Sequence, residues 1–296
     1  MNKKNNLKNF IIDGFIFYDE LLNKKKCYKI YNKIPNDRKW GKNLFQSEKD
    51  FINEFRNKKK RTNPGYRGTK NLIKKFNLKF IEKKLWIKHN LNLILGPNYK
   101  VILSKFVVAV PLDWMPDYVK ERNKLKLISN FGPYIKKKYR DVTYFRGIDY
   151  HMDSIDWFSK DNKFITMYIY LNDIKKNMSP LNIVKKTHIY GSTPFPHFIK
   201  DYPNKNYLEY SKNNKTFSKF QKQTLIGKSG TVYFWTSNTL HGTAPSKSNV
   251  KENFRVSLRF LIKKNMKSKG LIDKLIYENK VGITHKKNSK YKRILK

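Results

Sequence analysis

Short β-strand patterns in series dominate the sequence from Lys100 onward. Each is rich in β-branched and aromatic residues, and turn-forming residues such as Asn172-Asp173 and Gly227 to Gly230 separate them. No long helical pattern lies between them, which favours a sandwich or barrel over a parallel α/β sheet. The predicted strands are Val101–Val110, Lys163–Leu171, Leu181–Val184, Gly230–Trp235 and Phe254–Ile262.

Helical patterns dominate the chain before Lys100. Phe10–Tyr18 is predicted to be a short strand with a bend at Asp13-Gly14, and Asp19 is predicted to cap the next helix. That helix places apolar residues at a 3.6-residue period. Two more helices are expected at Glu48–Phe55 and from Leu72 to Leu93, the last ending at Gly96-Pro97. The fold class is therefore mainly β with N-terminal helices, an α+β arrangement.

The length of 296 residues favours a single large domain. We expect one domain over residues 1–262, with a helical part over about 1–98 and a β core over about 99–262. Residues 263–296 form a basic C-terminal extension with one helical pattern at Leu271–Tyr277.

The charge is strongly positive: 65 Lys and Arg face 22 Asp and Glu, a net charge of +43. Such a charge suits nucleic acid or an anionic membrane surface. However, alanine occurs only at Ala109 and Ala244, and Lys greatly outnumbers Arg. Planar recognition of phosphates and bases favours Arg. Compositional drift therefore explains the charge better than a dedicated polyanion site.

The sequence contains few features that indicate a cellular compartment. Cys27 is the single cysteine and cannot form an internal disulfide. The apolar stretch Phe10–Tyr18 is interrupted by Asp13 and lacks a small-residue cleavage site, which argues against a signal peptide. No run approaches the roughly 18 apolar residues of a membrane span. We expect a cytoplasmic protein; the sequence leaves its oligomeric state open.

Two segments suggest a metal site. His151 and Asp153 are two positions apart, so in an extended chain their side chains point the same way and both can reach one ion. Alone, such an H-x-D triplet is a weak signal. His241 follows the strand Gly230–Trp235 and could supply a third ligand if the fold brings it back. Two imidazoles and a carboxylate are typical of non-haem Fe(II) oxygenases, although zinc hydrolases use similar sets.

A later strand carries two arginines. Alternation in Phe254–Phe260 places Arg255, Ser257 and Arg259 on one face and apolar residues on the other. An arginine directed into a barrel needs a carboxylate or phosphate partner. A dicarboxylate cosubstrate would serve; alternatively, Arg259 or both arginines reach solvent on an exposed face.

In its order of motifs, the sequence resembles the phytanoyl-CoA dioxygenase family of Fe(II)/2-oxoglutarate oxygenases. The resemblance covers about residues 10–262. It rests on the opening GFIFYDELLNKKKC, the H-x-D at His151–Asp153, KFITMYIYLND, SPLNIVKKTH, GTVYFWTSNTLHGTAPSKSN and R-V-S at Arg255–Ser257.

The resemblance implies a double-stranded β-helix core, also called a jelly roll or cupin-like fold. It implies Fe(II), 2-oxoglutarate and O₂ as cofactors, with iron ligands His151, Asp153 and His241. Arg255 would bind the distal carboxylate of 2-oxoglutarate, helped by Thr243 and Ser257, while Tyr168 would line the cosubstrate pocket. His188 is expected to be structural.

The sequence departs from the family at Ser179 and Lys185-Lys186, where Gly and Pro-Gly are common. A longer separation between His241 and Arg255 implies an enlarged turn around Ser246–Asn253 and leaves Arg259 as a reserve clamp. Because halogenating members have a small residue at the carboxylate position, Asp153 favours hydroxylation or a related oxidation.

The expected substrate is a small molecule, and an anionic one would suit the basic, aromatic segments Pro111–Arg140 and Gly191–Phe220. The alternative is a nucleic-acid-binding protein on the same barrel, or an oxygenase acting on nucleic acid. It rests on the basic runs Lys58–Arg61 and Lys136–Arg140 and on the C-terminal tail.

Overall fold

Helices precede two facing β-sheets in the computed structural model of the protein. The structure describes residues 3–36, 40–55, 72–123, 130–156, 163–191, 193, 197–202, 204–244 and 254–275. Its α-helices are α1 (Lys3–Asp13), α2 (Lys24–Asn36), α3 (Glu48–Phe55), α4 (Lys79–Glu82), α5 (Leu85–Leu95), α6 (Asp117–Asn123) and α7 (Ile272–Leu275). Short 3₁₀ helices occupy several of the connections.

Twelve strands are described, and they form two six-stranded sheets. The strands are β1 (Phe15–Tyr18), β2 (Lys100–Ala109), β3 (Thr143–Phe145), β4 (Ile148–His151), β5 (Phe164–Tyr170), β6 (Leu181–Val184), β7 (Phe198–Asp201), β8 (Tyr207–Ser211), β9 (Ser218–Leu225), β10 (Val232–Thr236), β11 (His241–Thr243) and β12 (Val256–Lys263). The first sheet has the order β1-β10-β5-β12-β2-β3, and the second has the order β4-β11-β6-β9-β8-β7. All described pairs are antiparallel except β2 with β3.

The first sheet is buried on both faces, as β5 shows most clearly. Ile165, Met167 and Ile169 pack into the cluster that the first sheet shares with the helices. The alternate residues Tyr168 and Tyr170 pack towards the second sheet, against side chains of β6 and β9. This two-sided burial explains why β5 is almost continuously apolar instead of alternating with polar residues.

The two curled antiparallel sheets form a jelly-roll core with N-terminal helices. This architecture confirms the predicted fold class. The central strands are those whose sequence pattern was strongest. Val101–Val110 corresponds to β2, Leu181–Val184 is β6, and Phe254–Ile262 contains most of β12.

The N-terminal predictions need correction. Only Phe15–Tyr18 is a strand; the first half of the predicted strand is the end of α1, which closes at Gly14 with a φ of +78°. A left-handed residue ends a helix by satisfying its last carbonyls, and here the Gly14 N–H donates to the Phe10 carbonyl. Asp19 does not cap α2. The Asn23 side chain does so by accepting the Lys26 N–H at 3.1 Å.

The long helix predicted from Leu72 to Leu93 is divided in the structure. A 3₁₀ turn at Leu72–Lys75 is followed by α4 and α5. The Asn77 side chain accepts the Lys79 N–H at 3.0 Å, a local bond that starts α4 and competes with a continuous helix. The predicted stop is confirmed, because α5 ends at Gly96 with a positive φ.

Several strands were not predicted. The segment Gly191–Phe220, in which no strand was predicted, contains β7, β8 and the beginning of β9. β9 carries Ser, Lys, Gln and Thr between its buried residues, and β7 and β8 are short strands that include Lys, Asp, Glu and Ser. Because one side of an antiparallel sheet can face water, these strands include polar residues, and the apolar pattern used to predict strands is weak in them.

Both ends of the described chain pack on neighbouring elements. β1 pairs with β10 as an edge strand of the first sheet. At the other end the Leu271 N–H donates to the Leu93 carbonyl of α5, and Ile272 is fully buried. The division of the chain at residue 262 stays a prediction. None of the described helices has both the length and the apolar character that crossing a membrane requires.

Candidate metal centre and cosubstrate pocket

Two histidines from different parts of the sequence meet across a strand pair. His151 ends β4 and lies opposite His241, the first residue of β11. Their ring centroids are 4.3 Å apart. Ninety residues of sequence separate them, so the antiparallel pairing itself creates the site.

Each of these imidazoles is oriented by a backbone carbonyl. Nδ1 of His151 lies 2.8 Å from the Asp149 carbonyl, and Nδ1 of His241 lies 2.9 Å from the Thr239 carbonyl. A carbonyl only accepts, so the neutral form of each ring would carry its proton on Nδ1. The Nε2 lone pairs are therefore free to bind a metal.

The Asp153 carboxylate completes the group and is fully buried. Its Oδ1 lies 3.6 Å from Nε2 of His241 and 4.0 Å from Nε2 of His151. Its Oδ2 accepts hydrogen bonds from Thr166 Oγ1 at 2.5 Å and Trp235 Nε1 at 3.0 Å. The carboxylate is thus held from one side, with Oδ1 turned towards the imidazoles.

The protonation of this group suits a metal. Burial lowers the pKa of His241 to about 3, so the ring is neutral at ordinary pH. Burial alone would raise the pKa of Asp153, but the positive charge of Arg259 holds it below its usual value. One ligand atom from each of His151, Asp153 and His241 lies within 4.8 Å of the others. Two imidazoles and a carboxylate fit Fe(II), and this donor set also fits zinc.

Arg255 has an environment unlike that of an ordinary arginine. It is fully buried, and none of its three guanidinium nitrogens has a hydrogen-bond partner within the described residues. The guanidinium carbon lies 4.8 Å from the ring centroid of Phe145 and 5.7 Å from that of Tyr168. A buried, unpaired charge is costly, so this arrangement fits a site that receives an anion such as a carboxylate.

Unsatisfied hydroxyl groups accompany this arginine. The side-chain oxygens of Tyr168, Thr243 and Ser257 are buried, and they too have no hydrogen-bond partner in the described part of the chain. Ser257 lies two residues after Arg255 on β12, and Tyr168 lies on the paired strand β5. Buried polar groups are normally satisfied; these are donors that a bound dicarboxylate could use.

The structure gives the two arginines different partners. Arg259 Nη2 donates to Asp153 Oδ1, so its guanidinium already has an acidic partner. Arg255 is the residue left available for a ligand. His188 donates to the Ile11 carbonyl at 3.0 Å and is not part of the described metal group, which agrees with its expected structural role.

Two residues of the site escaped the sequence analysis. Thr166 and Trp235 lie opposite each other on β5 and β10, and both hold Asp153 Oδ2. Each shares the inward face of its strand with a residue two positions away, Tyr168 in one case and Tyr233 in the other. That alternation shows the direction of the side chains, but it does not show which carboxylate they meet.

The arginine of one basic run already has a partner within the protein. In Lys136–Arg140, the Arg140 guanidinium is buried and binds both carboxylate oxygens of Glu54 at 2.6 Å. Its Nε donates to the Ile135 carbonyl at 2.7 Å. Lys58–Arg61 and residues 276–296 of the tail lie outside the described residues, as does the predicted enlarged turn at Ser246–Asn253.

Comparison with solved structures gives distant matches. The epimerase SnoN in complex with Fe³⁺, alpha ketoglutarate and nogalamycin RO has 8% identity and a TM-score of 0.49, covering 88% of this chain and 83% of that one. The carbocyclase SnoK from nogalamycin biosynthesis has 9% identity and a TM-score of 0.45, with coverages of 89% and 84%. AviO1 from Streptomyces viridochromogenes Tue57 has 10% identity and a TM-score of 0.47, with coverages of 90% and 97%.

Comparison by sequence gives one family and no curated relative. None of the curated proteins matches the chain significantly. The model of the phytanoyl-CoA dioxygenase family matches residues 131–252, a segment that contains His151, Asp153 and His241 and ends three residues before Arg255. Enzymes of this family use Fe(II), 2-oxoglutarate and O₂, which suit the metal group and the unpaired arginine. The match covers less than half of the chain, so the similarity to the phytanoyl-CoA dioxygenase family is shown for residues 131–252 alone.

Proposed function

We propose that the protein hydroxylates a small-molecule substrate, with 2-oxoglutarate as the cosubstrate that is converted to succinate and CO₂. One observation carries the proposal: a group of metal-ligating side chains lies beside a buried arginine that lacks a partner. Aromatic rings connect the two. Trp235 lies 5.0 Å from the His241 ring and 5.6 Å from the Tyr168 ring, and Tyr168 adjoins Arg255.

The proposed iron ligands are Nε2 of His151, Nε2 of His241 and Oδ1 of Asp153. Hydrogen bonds to the two Nδ1 atoms and to Oδ2 fix the three groups before any ion binds. Such partners orient the ligands and raise metal affinity. Three protein ligands on one side leave other coordination positions for small ligands.

The proposed cosubstrate site is the Arg255 pocket. The guanidinium would bind the distal carboxylate of 2-oxoglutarate through two parallel hydrogen bonds, with Thr243 and Ser257 as hydroxyl donors and Tyr168 along the wall. Because Arg255 is fully buried, this interaction is shielded from water and fixes the orientation of the cosubstrate.

Iron, 2-oxoglutarate and O₂ together supply the oxidising power to replace a substrate C–H bond by C–OH. The protein supplies position and a dry cavity. Its walls are aromatic: Phe145, Tyr168, Tyr170 and Trp235 belong to one buried cluster between the two sheets. They exclude water from the space where the cosubstrate would lie.

Asp153 supports hydroxylation over halogenation. Its carboxylate fills the third protein position of the metal group. A small side chain there would leave that position to a halide. An anionic character of the substrate stays a prediction, because part of the segments expected to surround it lies outside the described residues.

The proposal is tested with purified protein under anaerobic conditions. Addition of Fe(II) and then 2-oxoglutarate should produce the weak visible charge-transfer band of the iron chelate. His151→Ala and His241→Ala should abolish it. Arg255→Ala should need a much higher 2-oxoglutarate concentration while retaining metal binding. His89→Ala is the matched control, since His89 is exposed.

The proposal would be wrong if folded wild-type protein bound iron and gave no band with 2-oxoglutarate. It would also be wrong if the band persisted in both histidine variants. A positive result justifies screening small molecules for substrate-dependent succinate release with formation of a hydroxylated product.

A further inference from the structure

Arg259 approaches the same carboxylate oxygen that faces the candidate metal position. It lies on the inward face of β12, and its side chain is 14% exposed. Its Nη2 donates to Asp153 Oδ1, the oxygen nearest to the Nε2 atoms of His151 and His241. The structure therefore places a permanent positive charge next to the carboxylate oxygen that would bind the ion.

Two other contacts also orient this carboxylate. Asp153 Oδ2 already accepts hydrogen bonds from Thr166 and Trp235, two neutral donors on neighbouring strands. Arg259 adds a charge that cannot be lost at ordinary pH. Charges in a protein interior interact strongly because the effective dielectric is low.

We propose that Arg259 is a positioning residue that acts through Asp153 to keep the bound iron in the ferrous state. The inference rests on the proposed iron site. The guanidinium draws electron density from Oδ1, so Asp153 becomes a weaker donor. The same positive charge repels Fe(III) more strongly than Fe(II). Both effects raise the Fe(III)/Fe(II) reduction potential, a one-electron change in which Arg259 neither gains nor loses a proton.

The test is an anaerobic redox titration of the iron-loaded protein without 2-oxoglutarate, with Fe(III) measured by electron paramagnetic resonance. Arg259→Met removes the charge and keeps most of the volume. At a fixed applied potential, its Fe(III)/Fe(II) ratio should rise at least tenfold, a decrease of about 59 mV for one electron. Arg259→Lys retains the charge and should lie within about threefold of the wild-type ratio.

Two further variants separate charge from hydrogen bonding and from general effects. Arg259→Gln can still donate to Asp153 but carries no charge, so it should resemble Arg259→Met. Arg122→Met removes an arginine from an exposed ion pair with Glu48 and should leave the potential unchanged.

The inference is wrong if folded, iron-loaded Arg259→Met or Arg259→Gln has the wild-type potential. It is also wrong if Arg259→Lys shifts the potential as far as Arg259→Met does. Absence of iron binding in the wild-type protein would instead overturn the proposed iron site. The two failures are therefore distinguishable.

Discussion

Arg255 immediately precedes β12 and Arg259 lies within it, four residues later on the same inward side, and only Arg259 meets an acidic side chain in the described structure. Arg259 donates to Asp153, whereas the Arg255 guanidinium lies among aromatic rings without a hydrogen-bond partner. Arg259 is thus neutralised by an acidic residue of the protein, whereas Arg255 fits a carboxylate supplied by a ligand. The roles proposed for the two arginines therefore differ, and this difference underlies the first prediction.

Arg255→Met should stabilise the protein when no 2-oxoglutarate is present. It replaces a buried, unpaired charge by an apolar side chain of similar length, and leaving such a group unsatisfied costs about 1–3 kcal/mol. We expect a higher melting temperature for the variant without cosubstrate. With the same metal concentration in both samples, added 2-oxoglutarate should raise the melting temperature of the wild-type protein much more than that of the variant, because ligand binding adds to stability.

Arg122→Met is the control for the arginine substitution. Arg122 is 41% exposed in its ion pair, so its replacement should change the melting temperature little. A lower melting temperature for ligand-free Arg255→Met than for the wild type would show that Arg255 supports the fold. A wild-type response of that variant to 2-oxoglutarate would exclude Arg255 as the clamp.

Trp235→Phe should weaken metal binding without removing a ligand. It deletes the indole N–H that holds Asp153 Oδ2 and keeps an aromatic ring in the cluster. Loss of such an outer partner typically lowers metal affinity by about 10- to 100-fold. Titration with Co(II), followed by its visible absorption, measures the change.

Trp86→Phe is the matched control, because Trp86 packs against Tyr18 and His89 and should leave Co(II) affinity unchanged. Equal affinity of wild-type and Trp235→Phe proteins would show that Thr166 alone is sufficient to orient Asp153.

The β core was predictable from sequence where strands are buried on both faces. β5 and β12 have apolar residues at nearly every position or in clear alternation, so pattern alone located them. β8 and β9 carry polar, solvent-facing residues, and their pairing decides their structure more than their composition does. The helix expected from Leu72 is divided in the structure, and a hydrogen bond to the Asn77 side chain lies at the first break.

The sequence predicted which residues form the metal site, but it did not predict how their side chains contact one another. The spacing of His151 and Asp153 and the position of His241 predicted a metal group, which the β4–β11 pairing assembles. The pairing of Arg259 with Asp153 could not be predicted, because it joins residues 106 positions apart on different elements. The roles of Thr166 and Trp235 were hidden for the same reason.

Glu54→Gln should destabilise the helical part of the chain by about 3 kcal/mol, the low end of the range for breaking a buried ion pair. The Glu54 carboxylate binds Arg140 through two bonds of 2.6 Å, and the two side chains are 7% and 4% exposed. The substitution leaves the Arg140 charge buried without an anion. Chemical denaturation followed by circular dichroism measures the loss.

Glu48→Gln provides the comparison, because the Glu48–Arg122 pair is exposed and should contribute only about 0–1 kcal/mol. The hydrogen bond from Arg140 also lowers the pKa of Glu54. The stabilisation by the Glu54–Arg140 pair is therefore present above the pKa that Glu54 has in the unfolded chain. It is lost as the pH falls through the pKa of Glu54 in the folded chain. Similar losses in the two variants would contradict a structural role for the Arg140 pair.

His188→Gln should reduce the acid sensitivity of the fold. Burial lowers the pKa of His188 below its usual value of 6.5, and its Nδ1 has no hydrogen-bond partner among the described residues. Below pH 6.5 the unfolded chain therefore binds a proton that the folded chain does not. The free energy of unfolding then decreases as the pH is lowered, by up to about 1.4 kcal/mol per pH unit. Glutamine can still donate to the Ile11 carbonyl but cannot take up this proton.

The measurement is the melting temperature of wild-type and variant proteins between pH 7 and pH 5. The variant should lose less stability on acidification than the wild type, and the difference between the two should widen as pH falls. His89→Gln serves as the control, because His89 is exposed and stacks on Trp86 at 5.2 Å. Parallel pH profiles for wild-type and His188→Gln proteins would show that His188 takes up its proton equally in the folded and unfolded states.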